Sequence, residues 1–574
     1  MNLGERLSEI VRRLRRTRPA ARRGGVGDHL TGFGLATAYV YVLLGTVQDL
    51  GYARDEGFYF RAAHSYASWF ELLLHDPRAA LQREAVEAAW AANHEHPALV
   101  KSVFALSWKW LYQKWHLFGE EGTSVRFGGM LFAGAALWLL YIWGARARSR
   151  TVGLIAALLF ALMPRVFYHS HLDCFDIPIV TMWTLCAYAY WRSLRQKGLL
   201  WPILTGITFG LALDTKHNAW MLPVALTAHA FIAKRRSIWQ RLRQGELRIP
   251  LALAAMAIIG PEVFVALRPR LWFDTVARLT GYTQFHLNHE YYNMVFLGVT
   301  YFRPPSPRSY AWVMTAATVP TITLVLFGIG IFSRLRHRYG HLVVRGLPAP
   351  PTEPGSTDLL WVIGLLVAYA PWLSTNTPIF GGTKHWMTAY PFLCLFAGVG
   401  FEAVVQKIRT WVIERWPIVP AALLDTAVAA AVLSAPLAET AHSHPWGLSS
   451  YTPLVGGAPG AASLGLNRQF WGFTTGAITA FLNRNAHTGD SIYLHDTAWD
   501  SWDLLRRDGR LSTRAQAATL PHTSTLALYH HEEHMEGVEY QIWQAYGTTS
   551  PVHIGQYDGV PIIYVYARNP LVRR

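Results

Sequence analysis

The sequence contains few cysteines and little charge for its length. Its three cysteines, Cys174, Cys186 and Cys394, are far apart among 574 residues, so neither a disulfide framework nor a cysteine metal site is expected. Charged residues make up only 15% of the chain, against 52% hydrophobic residues, and the apolar residues are grouped in long blocks. This distribution excludes a string of soluble domains and predicts a polytopic membrane protein.

The apolar blocks are long enough, or nearly so, to cross a bilayer as helices. A spanning helix needs roughly 20 predominantly apolar residues, and the sequence predicts about eleven spans when one shorter, tilted block is included. The predicted spans are Thr31–Gln48, Val125–Trp143, Val152–Phe167, Ile177–Trp191, Trp201–Leu213, Trp220–Ala233, Leu251–Leu267, Ala311–Phe332, Leu359–Leu373, Trp386–Val399 and Ile418–Leu437. We therefore expect an all-α membrane domain over residues 31–437.

Basic residues outnumber acidic ones, which gives a net charge of +16. A nucleic-acid partner is not expected, because the basic clusters lie at alternate ends of the predicted spans, as in the positive-inside pattern. The clusters are Arg12–Arg23, Arg146–Arg150, Arg192–Lys197, Lys234–Arg243, Arg334–Arg338 and Lys407–Arg415. The pattern predicts an integral protein of a bacterial-type inner or plasma membrane, in contact with anionic lipid. Its N-terminus, residues 1–30, is predicted to be a basic cytoplasmic arm before an uncleaved signal anchor.

Two segments between or after the spans are long enough to carry structure of their own. The first, on the outer side, is predicted to form interfacial helices over Tyr59–Leu74 and Pro97–Trp115. The second, residues 438–574, has no spanning run, and an odd span count places it outside as a small α/β domain. Its predicted strands are Ser491–His495, Thr525–Tyr529 and Pro561–Ala567, and its predicted helices are Thr474–Arg484 and Trp499–Asp508.

Acidic residues stand at the outer ends of two predicted spans. Asp55 and Glu56 follow the first span, and Asp176 precedes Pro178 at the start of another. One interpretation is that they solvate or cap helix ends, since a carboxylate is favoured at a helix N-terminus. The other is that they provide a proton acceptor at the membrane surface.

Isolated cations occur on the same outer loops, where the positive-inside rule disfavours them. Lys216 and Lys384 are the clearest cases, and Arg268 and Arg270 lie on a longer outer loop. Carboxylates opposite cations at a membrane surface suit the transfer of a sugar from a polyprenyl phosphate. A carboxylate would accept the proton of the acceptor hydroxyl, and the cations would stabilise the departing phosphate.

Four short motifs follow one another along these outer loops. They are Asp55-Glu56, the Glu-His-Pro-x-Leu element from Glu95 to Leu99, Asp176-Ile177-Pro178, and the segment from Lys384-His385 to Tyr390-Pro391-Phe392. In order and topology, over residues 31–440, the chain resembles the membrane glycosyltransferases of the GT-C class, family 39, which includes protein O-mannosyltransferases and aminoarabinose transferases. The resemblance implies a GT-C fold and a polyprenyl-phosphate sugar donor. The acceptor would be a hydroxyl of a lipid, glycan or protein.

The resemblance also implies roles for individual residues. Asp55 would be the catalytic base with Glu56 beside it, and Asp176 would be the second acidic residue, with Asp173 as the competing candidate. His96 stands where the aminoarabinose branch has a lysine, so a phosphate-binding role could pass to another cation. The predicted substrate-binding residues are Glu95, His96, Lys101, Lys216, Arg270, Lys384 and His385.

No cofactor or metal is part of this prediction, and two alternatives remain beside it. The pairs His94/His96 and His169/His171 could form a metal site, because zinc accepts imidazole ligands. The chain could also be a transporter or a flippase for lipid-linked saccharides. Transporters carry ionisable residues near the bilayer midplane, whereas here they concentrate at the outer ends of the spans.

Overall fold

A computed structural model describes residues 25–242, 249–343, 356–512 and 515–568, with the side chains of residues 234–242 and 340–343 excepted. The predicted basic cluster Arg12–Arg23 lies outside the described residues, as do most of the predicted N-terminal arm and the end of the cluster Lys234–Arg243. Every apolar block that the sequence places in the membrane contains helix in the structure.

The membrane part is built from helices that follow the predicted spans closely. They are α1 (Val26–Thr46), α6 (Glu121–Ala147), α7 (Arg150–Ala161), α8 (Pro164–His169), α9 (Asp176–Ser193), α10 (Leu200–Leu213), α11 (Leu222–Leu242), α12 (Leu251–Ala266), α14 (Tyr310–Thr318), α15 (Thr321–Val343), α16 (Thr357–Tyr369), α17 (Tyr390–Arg415) and α18 (Ala421–Ser443). The outer segment between α1 and α6 contains α2 (Arg54–His75), α3 (Pro77–Ala80), α4 (Arg83–Trp90) and α5 (Leu99–Ser107). The outer helix α13 (Thr275–Leu287) follows α12.

Length and composition qualify four helices of the described chain as membrane spans: α1, α6, α17 and α18. A fifth candidate is the pair α14 and α15, which is bent by 115°. Four shorter apolar helices, at Arg150–Ala161, Leu200–Leu213, Leu251–Ala266 and Thr357–Leu373, fall below a full bilayer thickness. The number of spans, about eleven by sequence, thus stays a prediction.

Two predicted spans are interrupted, and a proline marks each break. The run Ala311–Phe332 is two helices, because Pro320 disfavours helical geometry in Val319, whose φ is −89° and ψ 128°. The run Val152–Phe167 is likewise split between α7 and α8, with Met163 extended before Pro164. Each run is predicted as one span, and the structure breaks its helix at the proline, which lacks an N–H and restricts the preceding residue.

The C-terminal part is a small α/β domain, as predicted. Its strands are β3 (Ser491–Leu494), β4 (Gln516–Ala518), β5 (Leu526–His530), β6 (His553–Tyr557) and β7 (Val560–Ala567). They form one mixed sheet in the order β4-β3-β5-β7-β6, in which β3 is parallel to β4 and β5 while β7 is antiparallel to β5 and β6. The helices are α19 (Gly457–Ser463), α20 (Thr479–Asn485), α21 (Trp499–Arg507) and α22 (Glu536–Tyr546). A separate hairpin, β1 (Met294–Phe296) and β2 (Val299–Tyr301), lies in the loop after α13. The predicted fold class, an all-α membrane domain with a small α/β domain after it, is confirmed.

The C-terminal domain packs directly on the first outer segment. Helix α21 lies against α2 so closely that a Cβ on Gly57 would come within 2.8 Å of Ala498 and Ser501. Asp508 accepts hydrogen bonds from the backbone N–H groups of Glu121 and Gly122 at 2.9 and 3.2 Å, and so caps α6. The two parts therefore share one packed interface.

Candidate active site

A cleft of about 610 Å³ lies where the outer ends of the helices meet the first outer segment. Its walls come from the start of α2, the loop before α5, the start of α9, the turn after α10, the helix α13 and the loop before α17. The lining residues that the sequence analysis predicts as site residues are Asp55, Glu95, His96, Asp176, Lys216, Lys384 and His385. Residues from all four sequence motifs thus meet at one cavity.

Asp55 stands in the first turn of α2 and faces two cations. Its carboxylate lies 3.3 Å from Arg54 Nε and 3.5 Å from Lys384 Nζ, and 18% of its side chain is exposed. Burial alone would raise the pKa of Asp55, but Lys384 and Arg54 outweigh it, so the pKa lies below its ordinary value. Asp55 is therefore ionised at neutral pH and open to the cleft.

Asp176 is paired with a cation at a shorter distance than Asp55 is. It begins α9, and one carboxylate oxygen accepts a hydrogen bond from Lys216 Nζ at 2.7 Å. The other oxygen lies 3.4 Å from His169 Nδ1, and the side chain is 5% exposed. This carboxylate lines the cleft with its charge already compensated.

Glu56 does not line the cleft, although the sequence pairs it with Asp55. Its carboxylate accepts two hydrogen bonds from Arg126, from Nε at 2.7 Å and from Nη2 at 2.8 Å, and both side chains are fully buried. It also accepts the N–H of Ala53 at 2.7 Å, which caps α2. Successive helix residues point about 100° apart, so Glu56 turns to the core while Asp55 faces the cavity. Its geometry is that of a structural ion pair.

Asp173, the competitor of Asp176, also points away from the cleft. Burial and the negative charge of Glu56 raise the pKa of Asp173 well above its ordinary value. Asp173 does not line the cleft and Asp176 does, so the geometry favours Asp176 as the second acidic residue.

Lys101 and Arg270 support the cleft from outside its walls. Lys101 Nζ donates hydrogen bonds to the carbonyls of Asn93 and His96 at 2.5 and 3.0 Å, so it holds the loop between α4 and α5. Arg270 Nη1 pairs with Glu87 at 3.2 Å. Neither cation reaches the cavity, because each is already bound to a neighbouring acceptor.

The predicted residues of the second motif present a neutral imidazole to the cleft. Burial, aided by Lys101, lowers the pKa of His96 well below its ordinary value. Its Nδ1 is buried and has no hydrogen-bond partner among the described residues. Glu95 accepts a hydrogen bond from Asn93 Nδ2 at 2.7 Å, and His385 Nε2 is bonded to the backbone of Phe380. Of Glu95, His96 and His385, His96 is the residue with a buried ring nitrogen that lacks a hydrogen-bond partner among the described residues.

Several lining residues have no motif in the sequence. Arg54 joins Asp55 at the cavity, His217 comes from the turn after α10, and His286 and Tyr292 come from the long segment between α12 and α14. Arg54 and His217 could have been proposed, since they adjoin Asp55 and Lys216 in sequence. The other two lie on one long segment, where no motif indicates which side chain faces inward.

The two His-x-His pairs do not converge. His171 Nδ1 is bonded to the carbonyl of Phe167 at 2.8 Å and its Nε2 to Thr46 at 2.8 Å, whereas His169 faces Asp176. In the part of the chain that the structure describes, no three His, Cys, Asp or Glu side chains are placed to hold one metal ion. The alternative of a four-imidazole site receives no geometric support.

Comparison with known proteins gives one family match. Residues 107–263 match the family described as dolichyl-phosphate-mannose-protein mannosyltransferase. This segment runs from the end of α5 to the end of α12 and contains the Asp176 motif and Lys216. No curated protein sequence matches the chain.

Similar chains among solved structures include ones from a bacterium and an archaeon, Cupriavidus metallidurans and Archaeoglobus fulgidus. ArnT from Cupriavidus metallidurans is 14% identical, both in the apo state and bound to undecaprenyl phosphate. The match to the apo form covers 93% of this chain and 97% of the ArnT chain, with a TM-score of 0.46. The match to the bound form covers 94% of this chain and 98% of the ArnT chain, with a TM-score of 0.44. The archaeal oligosaccharyltransferase AglB from Archaeoglobus fulgidus, in complex with an inhibitory peptide and a dolichol-phosphate, is 12% identical. This match covers 85% of this chain and 64% of the AglB chain, with a TM-score of 0.43.

The family match confirms the resemblance that the sequence motifs predict. The chain is similar to the GT-C membrane glycosyltransferases of family 39.

Proposed function

We propose that the protein transfers a sugar from a polyprenyl-phosphate-linked donor to an acceptor hydroxyl at the outer face of the membrane, with Asp55 as general base. The observation that carries the proposal is the pairing of charges around one cleft. Asp55 is ionised and partly exposed, while Lys384 and Lys216 lie within 3.5 Å of Asp55 and Asp176. The match to a lipid-phosphate-dependent transferase family supports the donor class.

The proposed chemistry needs only groups that the cleft provides. Asp55 takes the proton of the acceptor hydroxyl as its oxygen attacks the anomeric carbon of the sugar. The bond from that carbon to the phosphate oxygen breaks, and the lipid phosphate leaves with the bonding electron pair. The cations Lys216, Lys384 and Arg54 then face the extra negative charge on the phosphate, which is where fixed positive groups lower a barrier.

The orientation of the chain is part of the proposal. The cleft, the first outer segment and the C-terminal domain lie on one side, and the positive-inside pattern places that side away from the cytoplasm. The acceptor, a lipid, a glycan or a protein, would enter from there, while the donor lipid would lie between the helices. Neither nucleic acid nor a metal takes part in this scheme.

The direct test is Asp55→Asn in purified protein reconstituted in nanodiscs. The variant keeps the size of the side chain and removes the proton acceptor, so transfer from the lipid-phosphate donor should fall by roughly 10²–10⁴-fold. Donor binding, measured alongside, should persist. Asp49→Asn is the matched control, because Asp49 lies on the same outer segment with 59% of its side chain exposed, and its transfer rate should equal that of the native protein.

Two outcomes would contradict the proposal. Transfer by Asp55→Asn at a near-native rate would remove Asp55 as the base and leave Asp176 in that role. A purified protein that moves lipid-linked saccharide across vesicles without transferring a sugar would identify the flippase alternative instead.

A further inference from the structure

The C-terminal domain reaches the cleft at the two cations that flank Asp55. Asp496, just after β3, accepts a hydrogen bond from Arg54 Nη1 at 2.5 Å, while Arg54 Nε lies 3.3 Å from Asp55. The indole ring of Trp471 lies 3.5 Å below Lys384 Nζ. The backbone carbonyl of Trp471 also accepts a hydrogen bond from the backbone N–H of Arg54 at 2.9 Å. Both cations of Asp55 are therefore held from the C-terminal domain.

Asp496 is fixed in place by its own backbone and by burial. Its side chain is 4% exposed, and its φ of 46° lies in the left-handed region, which aspartate tolerates better than most residues. Its carbonyl oxygen packs against Gly472, where φ is 57° and a Cβ would clash with that oxygen. A rigid carboxylate of this kind sets the position of the guanidinium that it binds.

Arg54 is thus shared between two carboxylates, one from each part of the chain. A guanidinium presents five donors in a planar fork and binds a carboxylate bidentately when it can. Nη1 of Arg54 pairs with Asp496, so Asp55 has a single contact with Arg54, through Nε at 3.3 Å. Without Asp496, the fork is free to close on Asp55, which would bury the lone pairs that accept the proton.

We infer that Asp496 is a positioning residue of the transferase: by holding Arg54, it keeps the Asp55 carboxylate available as base, so that the C-terminal domain is part of the active site. The inference rests on the proposed function, since it concerns the base of that reaction. It gives the C-terminal domain a role that no sequence motif indicates.

The charges around both carboxylates determine how pH should act. Asp55 is faced by Arg54, Lys384 and Asp176. Asp496 is faced by Arg54, Asp55 and Glu532. The imidazoles of His495 and His530 also lie near Arg54. Burial raises the pKa of Asp496 to about 7, although Arg54 opposes the rise. Asp496 therefore loses its charge at a higher pH than Asp55 does, so its hold on Arg54 weakens as the pH falls through about 7, while Asp55 is still ionised.

The experiment measures transfer by the full-length protein in nanodiscs for Asp496→Asn and Asp496→Glu. Asp496→Asn should lower kcat on the order of 10- to 100-fold, as misplacement of a reacting group does, while KM for the donor stays within about twofold. The kcat/KM of the native protein should fall as the pH drops through about 7, and Asp496→Asn, which cannot titrate, should lose this limb of the profile. Asp496→Glu, which keeps the charge, should recover part of the lost rate.

Asp558→Asn is a matched control. Asp558 is also an aspartate of the C-terminal domain with a positive φ, 49°, and it pairs with His442 of α18 at 2.9 Å, away from the cleft. Its rate and pH profile should equal those of the native protein. Arg54→Gln provides the second check: if Asp496 acts through Arg54, adding Asp496→Asn to that variant should change the rate little further.

The inference is overturned if Asp496→Asn transfers at the native rate, or if its rate falls with an unmoved pH profile and no recovery in Asp496→Glu. The proposed function fails separately, through an active Asp55→Asn variant. A native rate in Asp496→Asn together with an inactive Asp55→Asn variant would therefore reject the inference alone.

Discussion

Asp55 and Asp176 illustrate two uses of a carboxylate within one cleft. Asp176 forms a 2.7 Å ion pair with Lys216 and is nearly inaccessible, whereas Asp55 has longer contacts and remains partly exposed. A tightly paired carboxylate fixes a cation in place, and a loosely paired one can still accept a proton. The difference lies in the partners of each residue and not in its type.

Lys384 is expected to serve the donor phosphate and Asp55 together. Lys384→Met should weaken donor use roughly 10- to 100-fold, the value of a hydrogen bond to a charged group, and Lys384→Arg should rescue it only in part because the two cations differ in geometry. Since Lys384 lowers the pKa of Asp55, its removal should move the acid limb of the pH–rate profile to higher pH. Transfer kinetics across pH test both effects.

The control for that variant is Lys109→Met. Lys109 pairs with Glu71 at the far end of α2, at 2.7 Å, so donor use should not change. If Lys384→Met and Lys216→Met both use the donor normally, the phosphate is bound by other cations, of which Arg54 and Arg61 line the cleft.

Glu56 should contribute to stability and not to the proton transfer. Glu56→Gln leaves the buried charge of Arg126 without its counter-ion, which costs about 3–5 kcal/mol of unfolding free energy. Thermal unfolding in detergent should show the loss, while the turnover of the folded fraction stays close to native. Glu71→Gln, on an exposed part of the same helix, should unfold like the native protein. A large loss of turnover in folded Glu56→Gln protein would contradict this assignment.

Among the elements, the helices were the most predictable part of the molecule. Blocks of apolar residues identify them because every backbone group in a bilayer must be bonded within its own helix. The breaks at Pro164 and Pro320 were also readable in principle, since each proline restrains the residue before it. The edge strand β6 was missed, because its exposed residues alternate with only two buried positions.

The contact between α2 and α21 depends on a residue inside the acidic motif. Gly57→Ala would place a methyl group within 2.8 Å of Ala498 and of the Ser501 backbone, and would push α21 away from the start of α2. The transfer rate should fall by at least about tenfold, because small displacements of reacting groups are costly. Transfer assays on purified, folded protein measure the effect.

Gly34→Ala is the control for that substitution. Gly34 lies inside α1, and a Cβ there meets nothing within 4 Å. Alanine should be tolerated or slightly stabilising, since it favours a helix by about 1 kcal/mol over glycine. Equal rates for both alanine variants would show that the close packing of α2 and α21 is unimportant for transfer.

For the whole molecule, the order of spans and outer segments was predictable from the sequence. Only some of the residues that form the site were. Asp55, Asp176, Lys216 and Lys384 could be found because they stand at span ends against the usual charge pattern. Arg126 could not be paired with Glu56, since its partner lies 70 positions away and buried arginines leave no local pattern. Trp471 and Asp496 lie more than 400 positions from Arg54, and no periodicity reports such contacts.

The packing between the first outer segment and the C-terminal domain means that the topology of both can be tested together. Arg510 pairs with Glu120 and Asp508 caps α6, so the C-terminal domain and the first outer segment lie on the same side of the membrane. Reporter fusions after Arg574 and near Asp76 should both be active outside the cytoplasm, and fusions near Arg243 or Gly346 should not. Opposite results for the first two fusions would contradict the interface, and a cytoplasmic signal from both would reverse the orientation.

The hold of Asp496 on Arg54 also bears on biosynthesis. A polypeptide leaves the ribosome from its N-terminus, so the helices from α1 to α18 are made before Asp496 and Trp471 exist. A nascent chain thus carries Asp55 beside the first span but lacks the contacts with Asp496 and Trp471. Prematurely terminated products would insert with Asp55 in place but transfer sugar slowly, and full activity would begin only when synthesis is almost complete.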